Sequence, residues 1–92
     1  MAVRLVVYIQ AKEGQRDRVK TTYQTLCPEV RQEPGCQEYQ MHQNLEQPDN
    51  FVLLERWDDE GVLKAHLELL GQRGLNLDSM RSYTGANRDL EE

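Results

Sequence analysis

Cysteine is scarce in this chain: Cys27 and Cys36 are the only two. Without CxxC spacing, two thiols make neither a cysteine-rich zinc site nor a disulfide framework. A single Cys27–Cys36 bridge stays open, beside the plainer reading of two partly buried thiols. Long apolar runs are missing too. No stretch approaches the ~20 apolar residues of a membrane helix, and the apolar part of MAVRLVVYIQAK is too short for a secretory leader. Basic charge is in deficit, with 11 Lys and Arg against 16 Asp and Glu, a net charge of −5. A polyanion would be repelled, and no Lys/Arg run tracks phosphates, so nucleic acid is not an expected partner. The chain also lacks a nucleophile arrangement, a phosphate loop and a dinucleotide fingerprint. The expectation is a cytoplasmic protein that works on neither membranes nor nucleic acid.

What is present fits one small domain over residues 1–92. A chain of this size buries only roughly 60–70% of the surface exposed on unfolding. Its apolar share is 38% and its mean hydropathy −0.79, so the core is thin. Pairing with a second copy is one way to gain apolar burial.

Residues 3–10, VRLVVYIQ, alternate as a strand with Val3, Leu5, Val7 and Ile9 on one face. A helix is predicted over residues 15–32, with Val19, Tyr23, Leu26, Cys27 and Val30 as its buried stripe. Pro28 removes an internal hydrogen bond, and a kink or restart is expected there. Glu33-Pro34-Gly35 ends the helix, since Pro34 biases Glu33 away from helical angles and Gly35 accepts left-handed ones. Residues 36–44 form a second strand with Gln37, Tyr39 and Met41 in phase. LEQPDN is a turn, and residues 51–57 form a third strand paired to the second as a hairpin. Asp58 or Asp59 caps a second helix that runs to about Leu70 and buries Val62, Leu63, His66, Leu69 and Leu70. MRSYTGA is a candidate short fourth strand, and the polar tail over 87–92 is expected to fray. The order β-α-β-β-α-β is the ferredoxin-like α+β arrangement, with both helices on one face of a four-stranded antiparallel sheet.

The other face of such a sheet is normally polar. Here Val6 and Tyr8 on strand one, and Val52 and Leu54 on strand three, make it apolar. Fully burying one Val or Leu contributes roughly 1.5–3 kcal/mol, so a homodimer joined sheet to sheet is expected. Glu55 and Arg56 point to opposite sides of strand three, and one of them is available for that contact.

EPGCQEYQMH followed by FVLLERWDDEGVLKAHL resembles the antibiotic biosynthesis monooxygenase (ABM) family. The likeness covers residues 3–70 and then weakens, because GQRG stands where members continue the helix. It implies a dimeric α+β barrel with a pocket in each subunit between sheet and helices. The family spans cofactor-free oxygenases of anthrones and quinols, haem-degrading enzymes, an isomerase, and members of unknown activity. The haem-degrading branch carries an Asn on strand one and an axial His past the second helix, where this chain has Val7 and about Asn76. No cofactor is therefore expected. The anthrone branch places an Asn where this chain has Leu53.

His66 is the candidate catalytic residue, a neutral-pH base for a phenol or enol, set against a core histidine bonded to a carbonyl. Trp57 is a candidate platform for a flat aromatic ligand, or a core anchor under the second helix. Leu53, Val7 and Leu63 complete the candidate ligand-binding set with Tyr39, whose hydroxyl faces either the pocket or the dimer. His42 lies with polar neighbours, and with His66 it lacks the further ligands of a metal site. The leading function is cofactor-independent monooxygenation of a small reduced aromatic such as a quinol. The alternatives are a non-catalytic dimer that binds an apolar small molecule, and an isomerase working by enolisation.

Overall fold

The computed structural model describes residues 1–91. It contains β1 (Ala2–Ala11), α1 (Arg16–Val30), β2 (Cys36–Gln43), β3 (Asn50–Trp57), α2 (Glu60–Gln72), a 3-10 turn (Leu77–Ser79) and β4 (Arg81–Glu91). The sheet order is β2-β3-β1-β4 with every neighbouring pair antiparallel. This is the ferredoxin-like topology read from the sequence.

Period two puts Val3, Val7 and Ile9 of β1 and Phe51, Leu53 and Trp57 of β3 on the same side, and all six are buried. Val19, Tyr23, Leu26, Cys27 and Val30 of α1 and Leu63 of α2 close onto them in a single core cluster. The two helices therefore share one face of the sheet. Asp59 is the α2 cap, its side chain accepting from the Val62 N–H at 2.8 Å.

Several expectations are corrected. The first helix runs without a restart through Pro28 and ends two residues later, the missing N–H removing only the one bond to the Gln24 carbonyl. Leu69 is not buried but 43% exposed, because α2 meets the sheet along Leu63 and His66 and Leu69 stands beside that arc. α2 also continues past Gly71 to Gln72, with the left-handed Gly74 (φ +64°) just beyond its cap. The fourth strand is eleven residues rather than a short 80–86 segment. Residues 87–91, expected to fray, pair with β1 from Val6↔Asn87 to Ala2↔Glu91. Backbone pairing holds them, and composition does not report it. Glu92 lies outside the described residues.

On the opposite face, Val6 pairs across to Leu54 and Tyr8 to Val52, forming one apolar block. Val6, Val52 and Leu54 are half-buried by their neighbours, and Tyr8 is 40% exposed. Both cysteines are free, so the bridge left open by the sequence is not formed. No helix among the described residues is long and apolar enough to cross a membrane.

Candidate functional site: a carboxylate–imidazole–carboxylate chain

β3 carries one charged residue on its core face. Glu55 follows Phe51 and Leu53 in the same phase, pairs with Leu5 across β1, and is only 7% exposed. The indole N–H of Trp57, two residues on, donates to Glu55 Oε1 at 3.1 Å. That bond favours the carboxylate, but burial outweighs it and the charge of Glu33 adds to the rise. Glu55 is pushed up to about 7.

His66 enters the same region from α2. Its ring is 2% exposed and stacks on Trp57 with centroids 4.3 Å apart and planes 29° apart. Tyr39 of β2 meets both rings edge-on, at 5.4 Å from His66 and 6.3 Å from Trp57. Tyr39 therefore faces the helix side, which decides between the two directions left open above. The imidazole spans two acids. Nδ1 lies 3.0 Å from Glu33 Oε1, and Nε2 lies 3.9 Å from Glu55 Oε1. With Glu33 as acceptor the neutral ring carries its proton on Nδ1, which leaves the Nε2 lone pair turned toward Glu55. Burial lowers the His66 pKa, against the opposing pull of Glu33.

Glu33 is held by the EPG turn. Gly35 has φ +83°, and a Cβ there would stand 2.5 Å from Val62 Cγ1. The Asp58 N–H donates to the Gly35 carbonyl at 2.9 Å. Glycine thus allows the end of α1 to lie against the start of α2, and that approach brings Glu33 to His66. Arg73, bonded to Glu29, reaches Glu33 Oε2 at 3.9 Å from outside.

Two cavities flank this chain of groups. One, about 560 Å³, is lined by Leu5, Val7, Glu55, Leu67, Tyr83 and the backbone about Gly85 and Ala86. The other, about 460 Å³, lies on the far side, against Glu33, Pro34, Val62, His66 and Leu69. Of the residues picked from the sequence, His66, Trp57 and Tyr39 are brought into one cluster. Val7 lines the larger cavity beside Glu55. Leu53 and Leu63 are core residues that do not line it, and Trp57, at 0% exposure, has one ring face covered by His66. Sequence reasoning missed Glu55 and Glu33. The signal for Glu55 was its phase with Leu53 and Trp57. No comparable signal marked Glu33, because a helix terminator explains its position just as well. His42 is exposed, and among the described residues no three His, Cys, Asp or Glu side chains gather as metal ligands.

An antiparallel βαββαβ sheet with a buried acid–imidazole pair at a sheet–helix cavity places the chain among small ferredoxin-like α+β proteins. Comparison with known proteins is more specific. Residues 2–72 match the family "Antibiotic biosynthesis monooxygenase", and the chain belongs to that family. It is 33% identical over 64 residues to YcnE of Bacillus subtilis (strain 168), provisionally named a monooxygenase, covering 70% of this chain and 67% of that one. A conserved protein from Methanosarcina mazei Go1 superposes with TM-score 0.86 at 27% identity, covering 100% of this chain and 94% of that one. A Deinococcus radiodurans protein, provisionally described as an antibiotic biosynthesis monooxygenase, superposes with TM-score 0.81 at 22% identity, over 100% and 93% of the two chains. That last likeness speaks for the fold alone.

Proposed function

We propose that the chain is a cofactor-independent monooxygenase of a small reduced aromatic, a quinol or anthrone, acting in the cavity beside Glu55. The observation that carries this reading is the buried Glu55 carboxyl at the cavity wall, with the His66 imidazole behind it. A carboxyl near 7 is half ionised at neutral pH, which suits it to take a proton from a phenol. Trp57 engages Oε1, and Oε2 receives the substrate proton. The His66 imidazole, bonded to Glu33 through Nδ1, stays neutral behind the carboxyl with Nε2 3.9 Å from Oε1. His66 thus supports the Glu55 base rather than meeting the substrate.

The deprotonated ring donates an electron to O2, and the two radicals join as a hydroperoxide at a ring carbon. Loss of water from it leaves a new carbon–oxygen bond on an oxidised ring. For a quinol the balance is quinol plus O2 giving hydroxyquinone plus water, with no external reductant. The apolar walls from Leu5, Val7 and Leu67 accept a flat ring and keep water from the intermediates. The active species in this proposal is a homodimer joined through the face of Val6, Tyr8, Val52 and Leu54.

Oxygen uptake with a panel of quinols and anthrones tests the reading, one O2 being consumed per oxygenated product. On a confirmed substrate, His66→Gln is expected to keep the fold and lower turnover by about 10²–10⁴, the usual worth of a positioned acid–base group. Wild-type turnover by that variant would make His66 a packing residue. Tight aromatic binding without oxygen uptake would favour a non-catalytic binding protein.

A further inference from the structure

Arg81 opens β4 and is only 4% exposed. Its Nε and Nη1 atoms are buried and have no hydrogen-bond partner. Among the described residues no carboxylate forms an ion pair with it. Tyr83 lies under the guanidinium at 4.2 Å, which stabilises the cation only in part. Tyr23 supplies no countercharge, because burial raises its phenol to about 12 even with Arg81 beside it opposing the rise. A guanidinium never sheds its proton in a protein, so this is a standing buried cation with free donors. Buried donors in native proteins are almost always satisfied, and an orphaned pair requires an explanation.

Arg81 is among the residues that line a cavity of about 310 Å³. Leu67, Leu70, Leu75 and Leu77 supply apolar wall, and Asp78 stands exposed on the lining. Left-handed Gly74 (φ 64°) and Asn76 (φ 52°) turn the chain around this space between α2 and β4. The site thus joins one cation to an apolar chamber. We propose that it binds the carboxylate of a small apolar acid of one or two rings. One positive charge matches one carboxylate, whereas a phosphate dianion would bring excess charge against leucines and Asp78. The chamber shares Leu67 with the wall of the larger cavity, and its Arg81 stacks on that cavity's Tyr83, but the proposal does not rest on the oxygenase reading.

Calorimetry and thermal shift on the full chain, with 1-naphthoate as probe and uncharged 1-naphthamide as control, test this. Naphthoate is expected to raise the melting temperature and to bind at least about tenfold more tightly than the amide, since charge-assisted bonds to Arg81 distinguish the two. Arg81→Met should abolish that preference. Gly71→Phe keeps Arg81 but fills the chamber from a helix position whose Cβ meets nothing within 4 Å, and it should also block binding. If Arg81→Met fails to fold, Gly71→Phe decides alone. The proposal is overturned by equal binding of acid and amide, by full binding in either variant, by no binding at millimolar naphthoate, or by inorganic phosphate binding more tightly than naphthoate. None of these readouts involves oxygen consumption, so failure here and failure of the oxygenase reading are separate results.

Discussion

β3 has two apolar faces with different fates. Its inner face, Phe51, Leu53, Glu55 and Trp57, is covered by two helices from the same chain, and every member is buried. Its outer face carries Val52 and Leu54, no less apolar by sequence, yet these stay half-buried with Tyr8 more exposed beside them. The closed face holds the only charge on that side of the strand, Glu55, and builds the acid–imidazole chain around it. The open face offers apolar surface that the proposed dimer would cover. Burial by the chain's own helices brings charged groups together, whereas the outer face keeps burial potential that the single chain does not use.

The largest expected effect comes from breaking the closed face at its centre. Trp57→Ala removes a fully buried indole, the donor to Glu55 and the platform under His66. It should cost about 3–5 kcal/mol, measured by urea unfolding. Loss of less than about 1 kcal/mol would mean that the inner face does not depend on that ring.

Glu55→Gln removes the charge and keeps the shape. On a confirmed substrate, turnover should fall by about 10²–10³. The same variant tests stability against pH. The folded pKa of Glu55 lies above its unfolded value, so between pH 4.5 and about 7 the folded state binds more protons than the unfolded one. Stability from this group is therefore fully present below 4.5 and falls as pH rises to about 7, by roughly 3 kcal/mol. His66 acts in the opposite sense. Its folded pKa is lowered, so its contribution is present above 6.5 and lost as pH falls. In Glu55→Gln the decline with rising pH should disappear and the His66 loss at low pH should remain. A stability difference between wild type and Glu55→Gln that does not fall from pH 5 to 7 would overturn this assignment.

Gly35→Ala attacks the approach of the two helices. It asks alanine to hold φ +83° and drives a methyl group into Val62. A loss of about 1–3 kcal/mol is expected, with reduced turnover because Glu33 is displaced from His66. The smallest effect on the chain's own stability belongs to the outer face. Leu54→Lys should change it by less than about 1 kcal/mol, while light scattering shows dimer giving way to monomer, since an unpaired ammonium cannot be buried between sheets. A wild type that is monomeric at micromolar concentration would remove the interface from the comparison.

Much of the fold was legible because it rests on local rules. Alternation in VRLVVYIQ and FVLLERW shows which residues share a face, the stripe from Val19 to Val30 shows where α1 packs, and the Asp59 cap and the EPG turn set helix ends. The end of the chain was misread for the same reason. RSYTGANRDLE has little alternation, and only its pairing with β1 makes it a strand. The site was legible in part. His66 and Trp57 stood out as unusual residues on apolar faces, whereas Glu55 hid in a strand already explained and Glu33 in a turn already explained.

By itself, then, the sequence determined period, punctuation and charge: which residues face inward, where elements stop, and that a second apolar face exists. Tertiary structure alone decided the neighbours. Residues 33, 55 and 66 come from the end of α1, the middle of β3 and the middle of α2, and no spacing along the chain encodes their meeting. The same holds for Arg81, which finds no carboxylate partner among the described residues because of what the other elements bring near it. Side-chain direction follows from local backbone geometry. A shifted pKa follows from removal of water and the placement of distant charges, and both exist only once the chain has closed on itself.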